Sequence, residues 1–150
     1  MPGRARPIWE RRLTGPPRAR NAWADVDAHG RDTWLGLVRD RGCALAYPAR
    51  PAGRVHELDG RYVTDEPGLW LALGEAVNGP GGYFGGCVDA LVDCLRGGFG
   101  LTRPAELIWH DAATARAHLS HLLTPDGDHH DLFALVLEVL TERGIHVTLR

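Results

Sequence analysis

The chain has no lysine, a single methionine and a single serine among its 150 residues, so all seventeen basic side chains are arginine. We read the missing lysine as genomic composition bias. The lone Ser120 has no GxSxG around it, which leaves a serine-triad hydrolase without support. Cysteine is scarce too: Cys43, Cys87 and Cys94 make an odd set with no CxxC. That excludes a full disulfide framework and suits reduced thiols in a cytosolic protein, with Cys94 in the core and Cys87 partly exposed. No stretch approaches the roughly 18 consecutive apolar residues of a membrane span, and the arginine-rich start lacks the apolar run of a signal peptide. A cytoplasmic protein with no membrane partner is expected.

What is present is enough apolar residue, 44%, for one core. A single domain with an appendage follows from that size. The formal net charge of −2 hides an asymmetry: residues 1–54 hold eleven arginines against five acids, +6, and residues 55–150 hold six arginines against fourteen acids, −8. An acidic body suits a basic partner, because opposed fields raise association rates by roughly one to three orders of magnitude. The head reads differently. Residues 1–30 are expected to be a basic, disordered tail, with Pro2, Pro7, Pro16 and Pro17 interrupting any periodicity. Residues 31–53 read as a variable extension, with a short helix around Trp34, Leu35, Leu37 and Val38 and a strand over Cys43 to Tyr47.

The most informative stretch is PGGYFGGCVDALVDCL, residues 80–95. A glycine-rich loop carrying Tyr83 and Phe84 runs into an amphipathic helix. Asp89 and Asp93 are four apart, hence on one helix face and about 6 Å apart along the axis. Val88, Leu91, Val92 and Leu95 fall on the opposite side at the spacing of a buried stripe. Like charges at this spacing disfavour a helix by a few tenths of a kcal/mol, and only Asp89 lies in the first turn where an acid is welcome. Aromatics beside such a face resemble a protein-binding surface.

Two other chemistries have weaker claims. The glycine-rich loop opens a helix, as anion cradles do, but it lacks the GKS or GKT of a P-loop and does not match GxGxxG. The segment 110–131 gathers His110, Asp111, His118, His121, Asp126, Asp128, His129, His130 and Asp131. His118 and His121 would share a face if both were helical, yet the spacing matches neither HExxH nor a calcium loop. A polar connection that caps a helix near Asp131 is the expected reading, with no metal and no cofactor.

The run Tyr83, Phe84, Gly85, then Asp89, Ala90, Leu91, then Asp93, Cys94, Leu95 resembles the barstar family, small inhibitors that block guanyl-specific ribonucleases related to barnase. The resemblance covers about residues 54–150, the barstar-like domain. It implies an α/β fold, a small three-stranded parallel sheet covered by helices. The elements follow in the family's order: a strand over Arg54 to Gly60, a helix near Asp65 to Val77, the motif helix, a strand ending at Ile108 and Trp109, a helix over Asp131 to Arg143 and a strand over Ile145 to Leu149. The implied function is inhibition without catalysis: no catalytic residues, and a partner-binding surface of Tyr83, Phe84, Gly85, Cys87, Asp89, Val92, Asp93, Arg96 and Gly97. In that scheme the carboxylates mimic substrate phosphate, with Asp93 the central anchor and Asp89 a second charged contact. Tyr83 packs over the enzyme's histidine and Phe84 supports the loop.

Cys87 replaces the family's asparagine, Val92 its interface tryptophan, Arg96 its interface threonine, and Val139 its glutamate on the last helix. The expected partner is therefore a basic ribonuclease, barnase-like or divergent. The competing reading is a module of the same fold that binds a non-nuclease protein, or nucleic acid through the basic head.

Overall fold

Among the described residues, four of the five helices begin at a side chain that accepts a backbone N–H left open by the first turn. In the computed structural model, which describes residues 17–45 and 47–150, Asp27 caps α1 (Ala28–Ala44) by accepting from Gly30 N at 2.8 Å. After β1 (Val55–Asp59), Asp65 caps α2 (Glu66–Asn78) through Gly68 N, also at 2.8 Å. Cys87 caps α3 (Val88–Leu95) with its sulfur, 3.4 Å from Ala90 N. β2 (Ala105–His110) leads directly into α4 (Ala112–Leu119), whose preceding residue, Asp111, has φ of 52° and caps nothing with its side chain. The short strands β3 (Leu122–Leu123) and β4 (His129–His130) pair antiparallel. Asp131 then caps α5 (Leu132–Glu142) through Ala134 N at 2.8 Å, and β5 (Ile145–Leu149) ends the fold.

β1, β2 and β5 form a three-stranded, wholly parallel sheet in the order β1-β2-β5, with Glu57 opposite Ile108 and Ile108 opposite Thr148. Alternation along the strands separates the faces. His56, Leu58, Ala105, Leu107, Trp109 and Ile145 are buried, while Val55, Glu57, Glu106 and His146 are exposed. The sheet is thus α/β in class, and its second face is open to solvent, unlike most parallel sheets, which are covered on both faces.

α2 is the centre of the packing. Every residue from Gly68 to Val77 is buried, because the helix contacts β1 on one side and α1 on the other. A helix that is apolar all round, as GLWLALGEAV nearly is, belongs in an interior. α1 supplies Trp34, Leu35 and Val38 to the same core. The loop after α2 is pressed onto it: a Cβ at Gly74 would stand 2.3 Å from Gly82 O, so neither backbone could approach with a side chain in between.

Three expectations are corrected here. Disorder over residues 1–30 does not hold for 18–30: residues 18–26 form turns, Trp23 is buried to 1% exposure, and α1 starts at Ala28. An indole needs cover, and Trp23 finds it within the core, with its N–H donating to Glu75 of α2. The part of that expectation on residues 1–16 lies outside the described residues. Cys43 to Tyr47 is not a strand: Cys43 sits in the last turn of α1, Tyr47 makes an isolated parallel bridge to Phe99, and Ala46 is outside the described residues. His121 lies beyond the end of α4, since Leu119 turns into the core and closes that helix, so His118 and His121 share no helix face.

Candidate functional site

α3 has one face locked into the core and one free. Leu91, Cys94 and Leu95 are buried, whereas Val88 and Val92 are only half-buried. Cys94 therefore takes a place in the stripe that the apolar spacing had given to the valines. Burial pushes its thiol up to about 12, with smaller contributions from Cys43 and Asp93, so it is held as an inert thiol. On the free face Cys87, Asp89, Asp93, Arg96 and Gly97 are all exposed, with Val92 between the acids.

Asp93 and Arg96 form an i, i+3 ion pair at 3.2 Å. Their side chains are 68% and 66% exposed, so water screens the pair and it stabilises the fold by well under about 1 kcal/mol. The Asp89 carboxylate makes no hydrogen bond or ion pair among the described residues and lies in the first turn, where the helix dipole favours it. The result is two carboxylates, one lightly tethered and one open, presented on a rigid helix.

The loop aromatics lie elsewhere. Phe84 is 0% exposed and Tyr83 is 4% exposed, so neither reaches the surface of this structure. Tyr83 is fixed from several sides. Its N–H donates to Tyr47 Oη at 3.2 Å, its carbonyl accepts from Asn78 Nδ2 at 2.8 Å, and its ring meets Phe99 edge-on with centroids 5.9 Å apart. Burial pushes the phenol up to about 12. The cover comes from α1: a Cβ on Gly42 would stand 2.5 Å from Tyr83 Cβ. Gly85, at φ 96°, turns the chain from the buried aromatics into α3 and lies against Leu91.

The spacing of Asp89 and Asp93 was legible in the sequence, whereas the burial of Tyr83 was not, because the element that covers it lies about forty residues upstream. Sequence reasoning also missed the last turns of α1. Arg39, Asp40 and Cys43 are all exposed there, and the Arg39 charge acts on the Tyr83 phenol. The one local signal was Gly42, a poor helix former near the end of a helix and therefore a hint of close packing.

The histidine-rich segment does not converge. His110 Nε2 lies 3.2 Å from Glu57 Oε1 at the end of the sheet, His118 Nδ1 lies 2.9 Å from Thr114 O, and His129 and His130 belong to β4. Among the described residues no three His, Cys, Asp or Glu side chains come together as metal ligands. No helix among them is long and apolar enough to cross a membrane.

No curated protein matches the sequence significantly. The model of the family described as Barstar (barnase inhibitor) matches residues 53–147, which span the three-stranded sheet except its last two residues, together with α2 to α5, the two-aspartate helix α3 among them. With well over half of its length matched, the chain belongs to the barstar family.

Proposed function

We propose that this protein is an intracellular, stoichiometric inhibitor of a basic, guanyl-type ribonuclease, and that the free face of α3 enters the enzyme's cleft. The observation that carries the reading is the pair Asp89 and Asp93, exposed together on a helix whose other face is fixed by Leu91, Cys94 and Leu95. Carboxylates held in that way accept charge-assisted hydrogen bonds from arginine, lysine or histidine in a site built for phosphate. Rigid presentation lowers the ordering cost of binding. No chemistry is required, since occupancy alone prevents turnover.

In this reading Asp93 is the anchor and Asp89 the second charged contact, with Val92, Cys87 and Gly97 filling the surface around them. Arg96 must either leave Asp93 on binding or meet an acid on the enzyme. Tyr83 acts from beneath, by supporting the loop. Its buried position favours a ribonuclease divergent from barnase, because an aromatic covered by α1 cannot stack on the enzyme's histidine without α1 moving.

The test is a titration of guanyl-type ribonucleases, including those of the same source, with the purified protein. Inhibition that saturates at one inhibitor per enzyme is the expected result. If none is inhibited, the surface belongs to a barstar-fold module for a non-nuclease partner, and capture of an oligonucleotide with steep salt dependence would direct attention to the basic head instead.

A further inference from the structure

Far along the chain from the α3 face, a cavity of about 340 Å3 lies between β1, the C-terminal turn of α2 and the segments that precede each strand-edge residue it touches. Arg20, Arg50 and Arg54 line it together with His56, Glu57 and Asn78. The three arginines come from separate stretches of chain, and two are held in place. Arg20 Nη1 donates to Glu57 O at 2.8 Å, on the free edge of β1. Arg50 Nη1 donates to Asn78 Oδ1 at 2.6 Å and to Gly100 O at 3.4 Å.

A guanidinium carries five N–H donors, so each retains several with no partner among the described residues. Arg54 is exposed, and its guanidinium makes no hydrogen bond or ion pair among them. The only carboxylate in the lining is Glu57, and its Oε1 is engaged by His110. The carbonyl end of α2 also faces the site, but about half a negative charge from a helix terminus and one from Glu57 still leave the three arginines in excess.

The excess positive field is already felt at the cavity wall. His56 is buried, and its pKa is lowered first by that burial and then by the charges of Arg54 and Arg50, against the opposing hydrogen bond to the Ala76 backbone. Fixed positive groups in a concave, partly desolvated site concentrate anions. The planar guanidinium fork can bond two oxygens of a tetrahedral phosphate at once. The volume lies at the small end of ligand pockets, enough for a mononucleotide-sized molecule and too small for a dinucleotide.

We propose that this cavity binds the terminal phosphate of a small phosphorylated ligand, with Arg20 and Arg50 as the prealigned clamp and Arg54 as the group that closes on it. Bound phosphate would join the head, the 50–54 segment and β1 through one anion, and so stabilise the protein by linkage.

The test is an NMR titration of the full chain at constant ionic strength with inorganic phosphate, a nucleoside monophosphate and the matching nucleoside. Expected are saturable shifts of the His56 ring and of the amides of residues 54–57 and 78–79 with both phosphates and none with the nucleoside. Tighter binding of the mononucleotide marks a phosphorylated metabolite as the ligand, and equal binding marks phosphate itself. Arg54→Gln removes the charge and no hydrogen bond or ion pair of the fold among the described residues, so its unfolding midpoint should match the parent while phosphate binding weakens by about tenfold or more. No saturation at millimolar phosphate, the same shifts with chloride, or unchanged binding by Arg54→Gln would each overturn the assignment.

Discussion

Trp23 Nε1 donates a 2.6 Å hydrogen bond to Glu75 Oε1, joining the arginine-rich head to the most enclosed carboxylate of the body. The backbone N–H of Asn21 lies 3.0 and 3.2 Å from the two oxygens of the same group. Arg31 then stacks on the indole at 5.0 Å while donating to Ala24 O, Tyr62 O and Thr64. The head is therefore part of the fold from about residue 18 onward.

Replacing Trp23 with Ala should lower stability by about 3 to 5 kcal/mol, from the lost burial of an indole and from a carboxylate left short of a donor. Removing residues 1–27 should cost at least as much, contrary to what a disordered tail would allow. Urea unfolding of both variants measures it. A loss below about 1 kcal/mol for Trp23→Ala would mean that the head does not hold Glu75.

Glu75 also sets a pH dependence. Burial raises its pKa above the ordinary 4.5, against the lowering effect of its bonds from Asn21 and Trp23. The folded state thus keeps a proton that the unfolded state has released, so this contribution is fully present below about pH 4.5 and is lost as pH rises through the folded value. Asp59 works in the opposite direction: its bonds from Arg61, with a smaller one from Asn21, hold it at about 2, so its stabilisation is present above 3.8 and lost as pH falls toward 2. Glu75→Gln keeps an oxygen for Trp23 and removes the charge. Its stability relative to the parent should rise between about pH 4 and pH 7, read from unfolding curves at each pH. A constant difference across that range is incompatible with the assignment.

Gly42→Ala tests how α1 is seated. Alanine favours a helix by up to about 1 kcal/mol over glycine, but the new methyl would stand 2.5 Å from Tyr83 Cβ, an overlap of the kind that costs about 1 to 3 kcal/mol. Overlap should win, with a net loss of about 1 kcal/mol and faster thiol labelling of Cys94, which lies in the same buried region. A variant more stable than the parent, with unchanged labelling, would show that α1 does not press on the loop.

On the proposed inhibitory face, Asp93→Ala should weaken binding to the inhibited ribonuclease more than Asp89→Ala, by about 2 to 5 kcal/mol if the opposing charge is left buried, a range drawn partly from complexes of this family. Neither change should alter folding by more than about 0.5 kcal/mol, given the exposure of both carboxylates. Arg96→Thr frees Asp93 from its 3.2 Å partner and should tighten binding mainly at low salt. Weaker binding instead would locate an acid on the enzyme opposite Arg96, and no effect at either ionic strength would place Arg96 outside the interface. Affinities measured at two salt concentrations distinguish the three.

The elements of the body were legible because their signals are local. Asp65 and Asp131 announce helix starts within three residues, the alternation in VHELD and AELIWH marks half-buried strands, and the spacing of Asp89 and Asp93 fixes their shared face. The head was harder to read for the reverse reason. Its prolines and arginines speak for a solvated chain, and Trp23 is an isolated apolar residue with no periodic companion.

By itself, then, the sequence determined the three strands of the main sheet and the helices near Asp65 and Asp131, the family, and the shared face of Asp89 and Asp93, since backbone hydrogen bonding and side-chain periodicity act over a few residues. Tertiary structure alone decided that Gly42 covers Tyr83, that Trp23 closes on Glu75 across fifty-two residues, and that Arg20, Arg50 and Arg54 meet around one cavity. Those outcomes depend on which distant segment removes a given surface from water. Burial of an aromatic ring or a carboxylate is a property of its neighbours in space, and no local pattern in the chain records who those neighbours will be.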